Sequence, residues 1–489
     1  MGRTFSLGIA LLVCLGLSVE PAWPQTQPAA PPPAAPAPPS APPSGAPVQP
    51  YTPPANQPLP PIPPVPPVPT VGAGQGLTVT QAVQIALTHN FGIQQAALTV
   101  AFDRASVAQA QAQLLPTVTF HASYTSATPS TPVTIVPTIA GQPTPITLPA
   151  SNPPSTLFSL GLTYPLYTGN ALQDQVIISE ANLASAQAAF AAEAATIVLQ
   201  TRQAYYAVQA AEAQVRSSQG VVDASQENVR VVQAQVNVGT APQFNLLQAQ
   251  STLATAQQNL TTSKAAAVAA IYSLNTLLNI PLSTIVAPTT PLSLPQPPTD
   301  LDALIATGLH ERPEIQQGQA VVRSFEAAID LAKSGLRPAI TVTGGPQIQT
   351  NSPFTNNPVA WSGQILLSLT VFDGGLTTAK VDTATTQLHE AQVSLATTQQ
   401  TVESQVRTSY LNLQQAADSL RAAETGLTSA REQLRIAQVR LQAGVGTELD
   451  VTNALQTLAT SETSAIQAYY SYNLALAQID QATGVQVRF

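Results

Sequence analysis

Four histidines, one cysteine and a scatter of carboxylates are what the chain offers for catalytic or metal chemistry. His89, His121, His310 and His389 stand in four separate segments, and none pairs with Cys, Asp or Glu at a metal-ligand spacing. Serines are abundant, but no nucleophile elbow surrounds one and no triad partners are legible. The run "VGAGQG" at 71–76 lacks the lysine that would help it cradle a phosphate and reads as a linker end. No catalytic residue, metal site or cofactor is expected. The net charge of −8 and the lack of a basic stripe also speak against nucleic acid as a partner.

Cys14 lies inside an apolar run, Phe5 to Leu17, that follows one basic residue and exits into polar sequence, the pattern of a secretory signal peptide. Val13 stands where lipoprotein processing needs a small residue, so residues 1–25 are read as a cleaved signal rather than a lipidated one. The mature chain then contains no cysteine. Between Pro28 and Pro69, 21 of 42 residues are proline, which removes backbone donors and fixes φ. Residues 26–76 are therefore expected to be a Pro-rich disordered linker. After the signal no uncharged apolar run reaches 18 residues, so any membrane contact has to be made by strands.

Only 9% of the residues are charged, and the body is rich in small and amide side chains. Such a chain builds its contacts from close helix packing rather than from a bulky globular core. It also repeats itself. "GIQQAALTVAFDRASVAQAQAQLLP" (92–116) aligns with "EIQQGQAVVRSFEAAIDLAKSGLRP" (314–338) at an offset of 222, with Ile93, Gln94, Gln95, Val100, Ala105, Ala110, Leu114 and Pro116 each meeting an identical residue. "YPLYTGN" (164–170) faces "LTVFDGG" (369–375) at an offset of 205, and so do "QVNVGTAPQFNLLQAQ" (235–250) and "RLQAGVGTELDVTNAL" (440–455). The 17-residue difference falls between Pro116 and Phe158, where one long loop in the first copy absorbs it. The copies are 77–285 and 299–489.

Each copy follows one plan. A first helix spans about 80–115 or 301–337 and stops at "LLP" or "LRP". Two period-two segments follow. Val118, Phe120, Ala122 and Tyr124 share one face, and Trp361, Ile365, Leu367, Leu369 and Val371 share another, with Ser, Thr, Gln and His opposite. The aromatics Phe120, Tyr124, Phe158, Tyr164, Tyr167, Phe354, Trp361 and Phe372 fall near strand ends, as a lipid-facing barrel requires. Long helices over about 170–237 and 375–443 come next, each roughly 100 Å at 1.5 Å per residue. Leu388, Ala391, Leu395, Thr398 and Val402 keep heptad spacing, and the row then drifts through Val406, Tyr410, Leu413 and Ala417, so the packed face changes along the rod. A glycine joint and a last helix (about 245–279, 448–483) complete the copy.

Four alternating strands per chain can neither close a pore nor hide their edges in lipid. Several chains must pool them, and three would supply twelve. The proline-rich segment 127–154 and its counterpart at about 350–360 are expected to be extracellular loops.

The ordered set of motifs, repeated twice, resembles the TolC-type outer-membrane efflux protein family over residues 77–489. The resemblance implies a mainly α chain with a small β part, built from long coiled-coil helices and four transmembrane β-strands. It implies a homotrimer whose twelve-stranded β-barrel sits in outer-membrane lipid and whose α-barrel runs through the periplasm. The duct would dock on a periplasmic adaptor (membrane fusion) protein and an inner-membrane pump or secretion ATPase, through tips formed by Gly239, Thr240, Gly444, Val445, Gly446 and Thr447. The family places acidic residues three apart on the helix after the second joint, facing the narrow periplasmic end. Asp450 matches one, Asn453 replaces the other, and Asn245 is the first-copy equivalent of Asp450. The family's Arg after the joint glycine is missing from Gly444-Val445-Gly446-Thr447, so closure would rest on packing and neutral hydrogen bonds through Asn245, Thr447 and Asn453. The other class considered is a structural coiled-coil or adhesin-like envelope protein, which would not need paired amphipathic strands in both copies.

Overall fold

A computed structural model describes residues 76–126, 133–139, 141–143, 145–148, 155–289, 300–349 and 359–484. The signal peptide, almost all of the Pro-rich linker, Phe354 and parts of both expected loops lie outside these residues. The chain runs β1 (Gly76–Leu77), α1 (Val79–His89), α2 (Phe91–Ala112) and β2 (Thr117–Thr125), then four short strands, β3 (Val133–Ile135), β4 (Thr138–Ile139), β5 (Gln142–Pro143) and β6 (Ile146–Leu148). It continues with β7 (Ser155–Tyr167), α3 (Ala171–Asn237), α4 (Gln243–Leu278) and β8 (Ala287–Pro288). The second copy supplies α5 (Leu301–Glu311), α6 (Pro313–Lys333), β9 (Ala339–Gln349), β10 (Val359–Ser368), α7 (Leu376–Gln442) and α8 (Glu448–Thr483).

The long helices α3 and α7 are 67 residues each, as their unbroken pattern predicts. The first helix of each copy, expected as one piece, is broken in both. In the first copy Asn90 leaves the helix at ψ 134°, and its side chain accepts a hydrogen bond from Gly92 N at 2.8 Å to start α2. In the second, Pro313 opens α6 and forces Arg312 out of the helical region. Each break turns a short helix, α1 or α5, inward onto the long ones. Ala82 and Ala86 of α1 join Tyr205, Val208, Leu274 and Leu278 in one core, and Ile305 of α5 packs with Val406 and Ala482 in another. The strand β10 also ends at Ser368, short of Leu369 and Val371, because Asp373 starts the next turn by accepting from Gly375 N and Thr377 N.

The rods lie side by side. Helices α2 and α4 flank α3 on one side, while α6 and α8 occupy, one beyond the other, the slot between α3 and α7. This explains the drift of the apolar row on α7: it packs against α6 over one half of its length and α8 over the other. Ala391, Val402, Val406, Leu413 and Ala417 are all buried.

The sheet order is β10-β9-β7-β2, wholly antiparallel. Register places Val118 opposite Leu162, Phe120 opposite Leu160, Val342 opposite both Tyr164 and Ile365, and Ile340 opposite Leu367, so one face is apolar across all four strands. The other face carries Thr117, Thr119, His121, Ser159, Thr163, Thr343, Ser362 and Gln364. On the apolar face Tyr124 and Phe158 lie towards the loop end, Phe120 (opposite Leu160) and Trp361 (opposite Pro346) nearer the middle, and Tyr164 and Tyr167 towards the helix end. That face is open within the chain, with Phe120 69% and Trp361 78% exposed. In the first loop, β3 pairs with β6 and β4 with β5, a hairpin turning at Gly141.

Candidate functional site: the two helix joints and the seam between copies

Both joints are built by the same backbone device. Gly239 and Gly444 have φ of 78° and 75°, the left-handed region in which a β-carbon is strained. No atom outside the joint lies within 4 Å of a β-carbon built on either, so backbone conformation and not crowding selects glycine. Around them the hydrogen bonds match one for one. Thr240 N and Ala241 N donate to Gln235 O, and Val445 N and Gly446 N donate to Arg440 O, closing the last open carbonyls of α3 and α7.

The restarts differ. In the second joint Thr447 Oγ1 accepts from Asp450 N at 3.1 Å, and Asp450 Oδ2 accepts from Thr447 N at 3.0 Å, a reciprocal capping box. The backbone N–H and then the hydroxyl of Thr447, with Arg440 nearby, hold the exposed Asp450 carboxyl below the usual carboxylate range. In the first joint Pro242 stands in place of Thr447 and gives no side-chain cap, while Thr240 uses its hydroxyl on Gln235 O at 3.0 Å. Asn245 is half-buried; Asp450 and Asn453 are exposed on one turn of α8. Among the described residues no hydrogen bond joins Asn245 to either of them, and the Thr447 hydroxyl serves the cap. Val238 and Val445 project at the tips, 74% and 70% exposed.

Three carboxylates on α8 that the sequence reading did not single out tie the two copies together. Glu448, 5% exposed, accepts from Asn228 Nδ2 of α3 at 3.4 Å and from Thr452 Oγ1 at 2.6 Å. Glu462 accepts from Ser217 Oγ at 2.5 Å and faces Arg431 at 3.5 Å. Asp480 pairs with Arg202 at 3.0 Å; burial raises its carboxyl pKa against the pull of that guanidinium. The spacing was legible: 448, 462 and 480 are separated by close to whole helical turns and share a face. They form an antiparallel ladder with Asn228, Ser217 and Arg202.

Among the described residues no group of three or more His, Cys, Asp or Glu could hold a metal, and no helix is long and apolar enough to cross a membrane.

Solved structures with the same fold include the outer membrane channel CmeC of Campylobacter jejuni, at TM-score 0.69 and 17% identity over 83% of this chain and 85% of that one. The open-state outer membrane channel MtrE of Neisseria gonorrhoeae is similar at TM-score 0.69 and 18% identity, over 83% and 88%. In sequence the chain is 24% identical to the alkaline protease secretion protein AprF of Pseudomonas aeruginosa, over 60% of this chain and 63% of that protein. It is 29% identical to the outer membrane protein TolC of Vibrio cholerae, over 32% and 37%. The aligned part thus spans less than two thirds of these curated relatives. The family model of the outer membrane efflux protein matches residues 82–279 and 304–485, one block in each copy, and the chain belongs to that family.

Proposed function

We propose that three copies of this chain form the outer-membrane exit duct of a tripartite efflux or type I secretion system. Substrates would pass from an inner-membrane pump or secretion ATPase, by way of a periplasmic adaptor protein, to the exterior. The observation that carries the reading is the four-stranded sheet. It has an exposed apolar face, a polar face and two outer edges, on β2 and β10, with no strand beyond them among the described residues. Joining β10 of one copy to β2 of the next removes the edges, turns the apolar face to lipid and leaves the polar face around water. The rods also leave large apolar groups exposed in the single chain, Phe102 on α2 and Val393 and Leu411 on α7, which a neighbouring copy would cover.

The joints lie at the end of α3 and α7 farthest from the sheet, where the exposed Val238, Phe244, Val445 and Leu449 offer an apolar docking surface for the adaptor. Three Asp450 side chains there would ring the narrow entrance, with Asn453 and Asn245 beside them. The relatives' printed names speak of efflux and of protein secretion, and both uses fit one duct. Purified protein added to planar bilayers tests the reading: discrete long-lived conductance steps are expected. A protein that inserts no conductance and only assembles into rods would be the structural coiled-coil alternative.

A further inference from the structure

The two faces of the lower shaft differ in chemistry. On one, α3, α7 and α8 enclose a cavity of about 410 Å³ lined by Tyr206, Tyr469 and Tyr470 together with Arg216, Arg431 and Glu462. On the other, three grooves of about 530, 580 and 730 Å³ run between α3, α4, α7 and α8, and not one of their lining residues is charged. Their walls are Ser, Thr, Gln and Asn, with Ala and an occasional Val or Leu. On α8 the hydrophilic positions keep heptad spacing: Asn453, Thr460 and Gln467 form one row, and Thr457, Ser464, Ser471 and Gln478 the next. The carboxylates of α8, Glu448, Glu462 and Asp480, sit on the opposite face in the ladder with α3.

The strands show the same exclusion independently. From Ala105 to Gln173 and from Pro338 to Phe372 there is no Asp, Glu, Lys or Arg. The polar face of the sheet is hydroxyls, amides and His121. The uncharged row on α8 begins at Asn453, one turn from Asp450.

Building on the duct reading above, we infer that the uncharged face is the lumenal wall, and that the shaft above the Asp450 ring passes solutes of either sign alike. The face bearing Arg216, Arg431 and Glu462 is then the periplasmic exterior, where charge of both signs keeps a surface soluble. A wall of hydroxyls and amides exchanges hydrogen bonds with a passing solute much as water does, whereas a charged wall gathers one sign and retards the other. The substrate class is therefore broad in charge: along these grooves and the polar face of the sheet, cations, anions and unfolded polypeptide of mixed charge meet hydroxyls and amides rather than carboxylates, Lys or Arg.

Bilayer recordings on trimers under a salt gradient test this. Asp450→Asn alone should bring the cation-to-anion permeability ratio to about one. Adding Gln467→Glu in that background should restore a severalfold cation preference. The mature chain lacks cysteine by the sequence reading, so a cationic thiol reagent labels one engineered position. It should reduce current through Gln467→Cys and leave Ile466→Cys, which lines the tyrosine cavity, unchanged. A ratio still far from one in Asp450→Asn, or current loss at Ile466→Cys but not at Gln467→Cys, overturns the inference while leaving the duct reading intact. Intact trimers with no conductance overturn the duct reading, and this inference with it.

Discussion

At the scale of single residues, Asp450 serves a helix start and, in the proposed duct, would place the same charge at the pore neck. Its carboxylate caps the backbone of Thr447 and offsets the positive end of α8. Because hydrogen bonding lowers its folded-state pKa from 3.8, the cap is fully present at neutral pH and is lost only as pH falls through the lowered value. The same ionised group is available to the proposed pore at neutral pH. Asp450→Asn should weaken cation selectivity and block by multivalent cations in bilayer recordings; selectivity identical to wild type would leave Asp450 as a helix-start residue alone. Asp450 was singled out by the family resemblance, as the match to one of two acidic residues spaced three apart, and the structure shows it in the capping box that starts α8. Glu448, two residues earlier, was not: whether a carboxylate in a first turn points to water or to a neighbouring rod depends on tertiary packing, and here Asn228 and Thr452 draw it inward. The capping asymmetry between Thr447 and Pro242 was present in the letters, yet only the backbone shows that Thr240 caps the preceding helix instead.

At the scale of elements, the long rods were readable because nothing interrupts them, and the strands because alternation survives in both copies. The breaks at Asn90 and Arg312 were missed for opposite reasons. Asn90 is a weak local signal that the inward packing of α1 makes decisive; Pro313 was a strong signal subordinated to the surrounding helical pattern. The glycine joints follow from local chemistry. Gly239→Ala and Gly444→Ala should each cost about 1 kcal/mol through positive φ, visible as faster amide exchange confined to the last turns of α3 and α7. Unchanged exchange in both variants would mean the tips tolerate another turn geometry. The loops carry the topology. An epitope inserted at Gly141, in the turn of the β3–β6 hairpin, or between residues 350 and 358 should be reached by antibody on intact cells. Labelling only after permeabilisation would invert the proposed orientation.

At the scale of the whole molecule, the chain is half-finished by itself. Its apolar sheet face, its two strand edges and the apolar flanks of α2, α4 and α7 all lack partners within one copy. Lipid covers the sheet face, but the edges and flanks are of a kind that another copy relieves: lipid cannot hydrogen-bond a strand edge, and a 67-residue rod cannot bury its flank on itself. The central claim is therefore that three chains share one barrel. The most direct measurement is the mass of the detergent-extracted particle, after subtraction of bound detergent, by native mass spectrometry or light scattering. The account predicts three chains per particle, with no stable monomer retaining barrel structure. A monodisperse monomer with a closed, heat-resistant barrel would contradict it.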